Sequence, residues 1–516
     1  MKKRILALLL AVLMTVALCA CGGGQSAKTD QSAPETGSTG EAASGGEITV
    51  GIASDLDSSL DPHVSSSLAG TREVLFNIYE GLVKPDTQGN LIPAVAEKCA
   101  VNDAADQYTF TLREGVRFHD GSEVTVGDIV YSLTRAAGLE TGEPLMATLA
   151  GIASVEATDD KTVVVNLSAP DAEFIAYMTA AIIPEGSDPA DGIIGTGPFK
   201  YVSRSAQENI VMEKFDEYWG EGAHVDKVTF RVFDNAQAMV TGLRSGVIDL
   251  AAHLDASQAA ELADLTVLEG SMNLVQALYL NNAKAPFDDI RVRQALCYAV
   301  DKQTVIDLAA DGHGTALGSS MYPAFGKYFD DSLTNYYEPN LDKARELLAE
   351  AGYDQSNPLK FTIAVVGAYT PHVNAAQVVV EQLRQVGVQA TIREMENAEW
   401  YSDVYQGRDF EATLHGIDAS TLTASALLAR FESTSSKNFI GFENADFDAA
   451  FAAALSTTND SEQMTKFVEC ETILTENAAN VYLQDLADFV VTQNDIAGYE
   501  FYPLYVMDLS TVYRVA

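Results

Sequence analysis

This chain of 516 residues has little cysteine, little tryptophan and few basic side chains. Its five cysteines are widely spaced and form no Cys-x-x-Cys pair, which excludes a disulfide framework and a cysteine zinc site. Cys19 falls in an N-terminal leader and Cys21 directly follows it, so Cys99, Cys297 and Cys470 remain for the body of the protein. We expect these three to be buried free thiols, and a single disulfide among them is the open alternative.

Basic residues are scarce, since 32 Lys and Arg stand against 73 Asp and Glu and the formal net charge is −41. An exterior this acidic disfavours nucleic acid and anionic lipid as partners, and it keeps a protein soluble. The chain also lacks a Gly-x-Ser-x-Gly elbow, a His-Glu-x-x-His pair and a nucleotide-binding loop. Its seven histidines are scattered. The sequence therefore predicts no enzyme, no cofactor and no resident metal.

The first twenty residues have the parts of a secretory signal peptide. Lys2, Lys3 and Arg4 give a basic start, and the apolar run over residues 5–17 is too short for a membrane span. The sequence Leu18-Cys19-Ala20-Cys21 follows and resembles the lipobox of bacterial lipoproteins. That resemblance implies removal of residues 1–20 and acylation of Cys21. An ordinary signal peptide with a chance cysteine is the open alternative.

A polar segment follows the leader. Residues 22–46 are mostly Gly, Ser, Ala, Thr, Gln and Glu, without a large apolar side chain. Such a composition cannot bury enough surface to offset the entropy of ordering, so residues 21–46 are predicted to be a lipid anchor and disordered tether. We expect a bacterial protein held on the extracytoplasmic face of the cell membrane.

The body begins with patterns typical of a mixed α/β protein. Alternation over residues 48–53 predicts a first strand, and residues 73–83 are predicted to form a helix. Residues 152–158 and 162–167 flank a polar turn and predict a hairpin. This part of the chain is therefore expected to contain an antiparallel α+β module.

The later half has a different pattern. Apolar alternation over 361–365, a helical stripe over 376–383 and a second alternation over 388–392 predict a βαβ unit with parallel strands. Just before it, Asn340 is placed to cap a helix that Gly352 is placed to end. Together with the N-terminal module, this pattern predicts an α/β fold.

Six motifs occur in order along the chain, and their physical content is mostly structural, such as glycine turns and a helix start. They are Tyr79-Glu80-Gly81-Leu82; Leu91 to Gly121 with Thr125 to Ser132; Gly195 to Phe199 with Tyr218-Trp219; Pro286 to Leu296; Ala351-Gly352-Tyr353; and Leu383 to Gly387. The set resembles the large extracytoplasmic solute-binding proteins of ABC transporters for oligopeptides, dipeptides and nickel, often called solute-binding family 5. The resemblance runs from about residue 47 to the C-terminus. His119, within the second motif, is expected to have a scaffold role.

The resemblance implies a two-lobed, periplasmic-binding-protein type II-like fold with an extra α+β domain inserted in the first lobe. The implied domains are domain I (47–75, 196–278 and 483–516), domain Ib (76–195) and domain II (279–482). The two chain crossings, near 278 and 482, would act as a hinge, and a solute would be buried as the lobes close.

Two charged residues are the first candidate ligand contacts. Peptide-binding members of the family place an Asp in a Trp-rich loop for the peptide amine, and Asp418 is the nearest acid here, with Ile417 in place of the Trp. Arg430 is the candidate partner for a carboxylate. The alternative for Asp418 is a loop acid that is exposed to water.

Three ring-bearing residues and one further histidine complete the set. Tyr369 and Trp400 are candidates to stack on a ligand, although core packing is the alternative for Trp400. His415, together with His372, is a candidate for a metal chelate, and His63 follows the first strand in a segment that borders the cleft. A structural role is the alternative for each histidine.

The predicted function is the lipid-anchored substrate-binding component of an ABC importer for peptides or a related small solute. The expected partners are that solute, an ABC permease and its ATPase, and the membrane through the anchor; the protein is expected to be a monomer. Import of a nickel or other metal chelate, and peptide sensing without transport, are the alternatives.

Overall fold

The computed structural model describes residues 42–43, 45–64, 69–190 and 192–516. These residues belong to one compact unit, Ser38–Ala516. The predicted signal peptide, Cys21 and most of the predicted tether lie outside the described residues. Within the described ranges, no helix has both the length and the apolar character that crossing a membrane requires.

The strands are labelled in chain order. They are β1 Ala42–Ala43, β2 Glu47–Ile52, β3 Val83–Pro85, β4 Leu91–Pro93, β5 Ala96–Val101, β6 Gln107–Leu112, β7 Ile152–Ala157, β8 Thr162–Leu167, β9 Phe199–Ser205, β10 Asn209–Lys214, β11 Lys227–Val232, β12 Leu250–Leu254, β13 Thr266–Ser271, β14 Leu274–Leu280, β15 Gly314–Ala316, β16 Lys360–Val366, β17 Gln389–Met395, β18 Ala412–Asp418, β19 Asn480–Thr492, β20 Ile496–Ala497 and β21 Tyr513–Val515.

The α-helices are α1 Ala69–Phe76, α2 Val126–Ala137, α3 Ala236–Arg244, α4 Ala256–Ala260, α5 Ile290–Ala299, α6 Lys302–Ala309, α7 Leu341–Glu350, α8 Thr370–Arg384, α9 Asn397–Glu399, α10 Ala424–Leu428, α11 Ala445–Leu455 and α12 Asp460–Glu476. Short 3₁₀ turns cover Ala147–Leu149, Phe174–Thr179, Pro323–Tyr328, Asp331–Asn335 and Ala429–Phe431, and a π-helix covers Trp400–Gln406.

A mixed 12-stranded sheet organises the molecule, in the order β17-β16-β18-β14-β19-β12-β2-β11-β10-β9, with β13 and β15 also paired to β19. Strand β19 has 13 residues, and its two ends have different partners. Its first half pairs with β14, and its second half pairs with β12 and β13. This strand therefore joins the two halves of the sheet.

A second, antiparallel sheet has the order β5-β6-β8-β7 and stands apart from the large one. The buried side chains of the described residues form five clusters. Three of them are called the N-terminal core, around Val50 and Phe230; the insert core, around Phe110 and Phe174; and the C-terminal core, around Tyr279. Each core lies against a different part of the two sheets.

Most predicted elements of regular structure are confirmed. The first strand, the hairpin β7–β8 and the parallel pair β16–β17 with α8 between them form where the alternation indicated. The Asn340 side chain accepts the Lys343 N–H at 2.9 Å and starts α7. Gly352, at φ +91°, adopts the left-handed conformation that ends this helix.

The prediction of a helix over residues 73–83 is wrong after Phe76. The Asn77 amide donates to the carbonyls of Glu73 at 3.0 Å and Met507 at 2.7 Å, which anchors the chain where α1 stops. Gly81 then passes so close to the backbone of Met178 that a side chain would clash there. This close approach requires an extended backbone after Phe76. The side chains of residues 73–83 favour a helix and do not indicate the contact with a distant segment.

The three thiols are free, as expected, but Cys99 is exposed rather than buried. It lies on β5, which is the edge strand of the small sheet and has five exposed residues after Ala96. At the N-terminal end of the body, Ala42–Ala43 pair with β21 as a short strand, within the segment predicted to be a tether.

His119 has the scaffold role that its motif indicated. Its Nε2 lies 3.0 Å from the carbonyl oxygen of Gly197, and its Nδ1 accepts the N–H of Gly195 at 3.2 Å. Burial lowers the pKa of His119 to about 4. The neutral ring thus fixes the glycine-rich turn against the insert.

A histidine between two carboxylates ties α1 to the large sheet. His253 Nε2 lies 2.7 Å from Glu73 Oε1, and His253 Nδ1 lies 3.1 Å from Asp488 Oδ2. His253 has φ +58°, which is unusual for a residue with a side chain. Burial lowers the pKa of His253, but the carboxylates of Asp488 and Glu73 outweigh it and raise this pKa well above its ordinary value.

We predict that His253→Gln lowers the free energy of unfolding by about 2 kcal/mol at pH 6, because two buried carboxylates lose their countercharge while the site stays partly open to water. The charged histidine stabilises the fold fully below about pH 6.5, and this contribution is lost as the pH rises through the raised pKa. Urea unfolding at pH 6 and pH 10 checks this, with exposed His224→Gln as the control. A stability difference that is equal at both pH values contradicts the prediction.

Candidate functional site

A cavity of about 650 Å³ lies where the three cores meet. This volume is within the range of small-molecule binding sites. Its walls combine apolar and polar side chains from all three parts of the chain. They include Leu75, Phe76, Tyr79 and Tyr505 from the N-terminal part; Val83, Met146, Ile175 and Thr179 from the insert; and Tyr328, Ser420, Thr421, Leu422 and Gln463 from the C-terminal part.

One wall carries a buried carboxylate with four partners. Glu80 accepts from the Tyr218 hydroxyl at 2.7 Å, from the Trp219 indole at 2.7 Å and from Lys84 at 3.1 Å, and it lies 3.4 Å from Thr196 Oγ1. Interactions of this kind compensate for the cost of burying a charge. Glu80 comes from the first motif, and its network fixes the Lys84 ammonium at the cavity wall.

A second ion pair crosses the cavity edge. Arg72, on α1, lines the cavity, and its Nη2 lies 3.1 Å from Oδ2 of Asp418, the last residue of β18. Both side chains stay partly exposed, at 28% for Arg72 and 41% for Asp418. The pair therefore joins the N-terminal and C-terminal parts in a place that water and a solute can reach.

A buried carboxylate makes a further connection from the insert. Glu173 accepts the backbone N–H groups of Ala424 at 2.8 Å and Ser425 at 3.0 Å, at the start of α10. Burial raises the pKa of Glu173 to about 7, although these N–H groups oppose that shift and Asp171 adds to it. Gly89 of the insert also lies against the Leu422 side chain, which would have to move if residue 89 carried a Cβ.

Together these contacts hold one stretch of chain from both sides. We call residues 418–425 the clasp segment, because Arg72 pairs with its first residue and Glu173 binds its last. Residues 419–423 line the cavity between the two attachments. A solute in the cavity therefore lies against a segment whose ends are fixed by the other two parts of the protein.

Three of the predicted ligand contacts form one cluster. The Trp400 ring stacks on His415 with a centroid distance of 4.1 Å, and the Tyr369 ring lies 6.1 Å from His415. Trp400 is buried in the C-terminal core, and its indole donates to Thr413 Oγ1 at 2.9 Å. Tyr369 remains 42% exposed at the start of α8. The cluster does not line the 650 Å³ cavity.

Burial favours the neutral form of His415 and of the neighbouring His372. His372 Nε2 accepts the Gly416 N–H at 3.1 Å, and its Nδ1 lies 2.8 Å from the Gln276 amide nitrogen, so the fold uses both ring nitrogens. Burial lowers the pKa of His372 to about 4; burial and the neighbouring His372 lower that of His415 to about 3. Among the described residues, no group of three or more His, Cys, Asp or Glu could hold a metal ion.

The other two predicted contacts, Arg430 and His63, are also absent from the cavity wall. Arg430 donates to the Leu427 carbonyl at 3.1 Å and so closes the end of α10. His63 is buried, with Nε2 2.9 Å from the Ala181 carbonyl oxygen and Nδ1 2.8 Å from Arg135 Nη1. Burial lowers the pKa of His63. None of the six candidates lines the cavity itself, and Asp418 is paired with the lining residue Arg72.

Sequence reasoning missed Arg72, Lys84, Glu173 and the cavity-lining residues of the clasp segment. Arg72 and Asp418 are 346 positions apart, and Glu173 and Ser425 are 252 apart. No local pattern marks such pairs. Glu80 belongs to the first motif, but its burial and its contacts with distant side chains follow only from the fold.

Residues 90–439 match the family described as bacterial extracellular solute-binding proteins, family 5. Among curated relatives, the oligopeptide-binding protein AppA of Bacillus subtilis is 26% identical over 98% of this chain and 97% of its own length. The glutathione-binding protein GsiB of Salmonella typhimurium is 29% identical over 83% and 86%. The heme-binding protein A of Haemophilus influenzae is 27% identical over 79% and 81%.

Solved structures show the same fold. The substrate-binding protein CtaP of Listeria monocytogenes superposes with a TM-score of 0.81 at 22% identity, over 92% of this chain and 100% of that one. AppA of Bacillus subtilis in complex with a nonapeptide gives a TM-score of 0.76 at 23% identity, over 92% and 100%. These matches confirm the predicted fold class, with its large mixed sheet and separate antiparallel sheet.

We predict that Glu173→Ala loosens the clasp segment, because the buried N–H groups of Ala424 and Ser425 lose their acceptor at a cost of about 1–3 kcal/mol each. Hydrogen–deuterium exchange should show at least about tenfold faster exchange over residues 419–425. Glu140→Ala, at an exposed acid of the insert, is the matched control and should exchange as the wild type does. Unchanged protection in Glu173→Ala would rule out this attachment.

Proposed function

We propose that this chain, which belongs to the bacterial extracellular solute-binding proteins of family 5, captures short peptides or related small solutes in the 650 Å³ cavity for an ABC importer. Proteins of this family bind solutes and are not enzymes. The observation that carries the proposal is the position of the cavity, which is enclosed by walls from all three cores and crossed by two polar attachments.

Closure around a solute follows from this arrangement. The N-terminal part and the insert contact the C-terminal part through the clasp segment, so separation of the parts would open the cavity further to solvent. Strands β14 and β19 connect the parts and are the natural place for bending. A solute that touches walls on both sides of the cavity makes more contacts in the closed arrangement than in the open one. It therefore shifts the equilibrium towards the closed arrangement.

Asp418 is the proposed acceptor for a solute ammonium group. Its carboxylate is partly exposed next to the lining residue Ala419, and its partner Arg72 itself lines the cavity. An ammonium group of the solute would pair with the same Asp418 carboxylate that Arg72 contacts. The curated relatives are named for oligopeptide, glutathione and heme, and these names do not specify an amine contact. The proposed recognition of an amine therefore rests on the geometry of Asp418.

The anchor and the domain division belong to the same proposal. Acylation at Cys21 would keep the receptor beside its permease on the outer face of the membrane, through the polar segment 22–41. The separate N-terminal, insert and C-terminal cores support a division into domain I, domain Ib and domain II. Delivery of the solute to the permease would then follow closure.

We predict that some short peptide or amino-acid-containing solute raises the thermal stability of the purified protein. A solute that binds only the folded state stabilises it by about 2.7 kcal/mol at one hundred times its dissociation constant. A thermal-shift screen over di- to pentapeptides checks this. If no member of the screen shifts the melting temperature and a non-peptide solute does, the peptide proposal is contradicted.

We predict that Asp418→Asn weakens binding of the solute found in that screen by about 2 kcal/mol or more, because the ammonium loses a charged acceptor. Isothermal titration calorimetry measures the change. The control is Asp342→Asn on α7, where the aspartate side chain is 96% exposed. Equal affinities for Asp418→Asn and the wild type would place the amine site elsewhere.

A further inference from the structure

In the Arg72–Asp418 pair, the Arg72 guanidinium places a positive charge of the protein itself at the cavity. Arg72 is carried by α1 and lines the cavity, and Asp418 ends β18 directly before the lining residue Ala419, with 3.1 Å between Nη2 and Oδ2. Since both side chains are partly exposed, a solute can approach either of them without disturbing a packed core. The acceptor for a solute amine is thus already occupied by a guanidinium group.

Because Arg72 already pairs with Asp418, an ammonium group of a solute has to compete with the Arg72 guanidinium for this carboxylate. The guanidinium is always charged, and its attachment to α1 keeps it near Asp418 at a high effective concentration. A plain ammonium group must displace Arg72 or share the Asp418 carboxylate with it. In both arrangements two positive charges lie close together, and their repulsion opposes binding.

A solute with a carboxylate beside its ammonium group offsets this repulsion. Its ammonium pairs with Asp418, while its carboxylate accepts two parallel hydrogen bonds from the Arg72 guanidinium. One internal ion pair is then exchanged for two ion pairs with the solute, and each charge keeps a partner. The cavity has space for the remainder of a small solute, with Tyr505, Ser420 and Thr421 in its wall.

We propose that Arg72 is a specificity-determining residue that selects solutes with a free α-amino-acid head group, in which one carbon carries both the ammonium and the carboxylate. Solutes of this class include peptides linked through the γ-carboxyl of glutamate, whereas an ordinary peptide has no carboxylate on the carbon that bears its amine. The inference rests on the proposed function, since it takes Asp418 as the amine acceptor.

Two isomeric dipeptides test the inference. γ-Glutamyl-alanine and α-glutamyl-alanine have the same atoms and the same net charge, and differ in whether a carboxylate shares the carbon of the amine. Calorimetric titration of the purified protein should give at least tenfold tighter binding of the γ isomer. Arg72→Gln should reduce this ratio to within twofold, and Arg72→Lys should keep part of it. Arg345→Gln, at an exposed arginine of α7, should keep the full ratio.

The outcomes separate the inference from the proposed function. Equal affinities of the wild type for the two isomers, or a full preference retained by Arg72→Gln, would overturn the role of Arg72 and leave peptide capture intact. Failure of both isomers and of every peptide in the thermal-shift screen would instead contradict the proposed function. Matching circular dichroism melts of the variants and the wild type establish that each result concerns a folded protein.

Discussion

The attachment of the clasp segment at both of its ends is the interaction on which the site depends. Arg72 holds Asp418 through an ion pair, and Glu173 holds Ala424 and Ser425 through two backbone N–H groups. The two attachments differ in kind. The first is partly exposed to solvent, whereas the second is buried and fixes the start of α10.

The large sheet makes this arrangement possible. Strand β19 carries Asp488 against His253 in one half of the sheet and pairs with β14 in the other half. Strand β18 lies beside β14 and ends at Asp418, so the same sheet places the clasp segment next to the cavity. His253, held between Glu73 and Asp488, fixes α1 and with it the neighbouring Arg72. The cavity is thus built from a continuous sheet, an inserted module and one connecting helix.

The sequence predicted regular elements and family far better than it predicted the site. Alternation and capping residues such as Asn340 depend on neighbours a few positions away, so they identify strands and helices directly. The cavity depends on pairs such as Glu173 and Ser425, which only the folded chain brings together. The sequence also did not distinguish between a solute-facing and a core position for the Trp400 ring, and the structure places this ring in the C-terminal core. Asp418 was predicted because a family motif pointed to its loop, and the structure shows it paired with Arg72.

Solute binding against the clasp segment is tested most directly by hydrogen–deuterium exchange of residues 419–425 with and without a saturating solute from the thermal-shift screen. Residues 419–423 line the cavity between the two attachments, so a solute bound there should slow exchange in this segment relative to distant elements such as α7. Slower exchange over 419–425 is therefore expected. A solute that binds tightly and leaves the exchange of these residues unchanged would contradict the proposed position of the binding site.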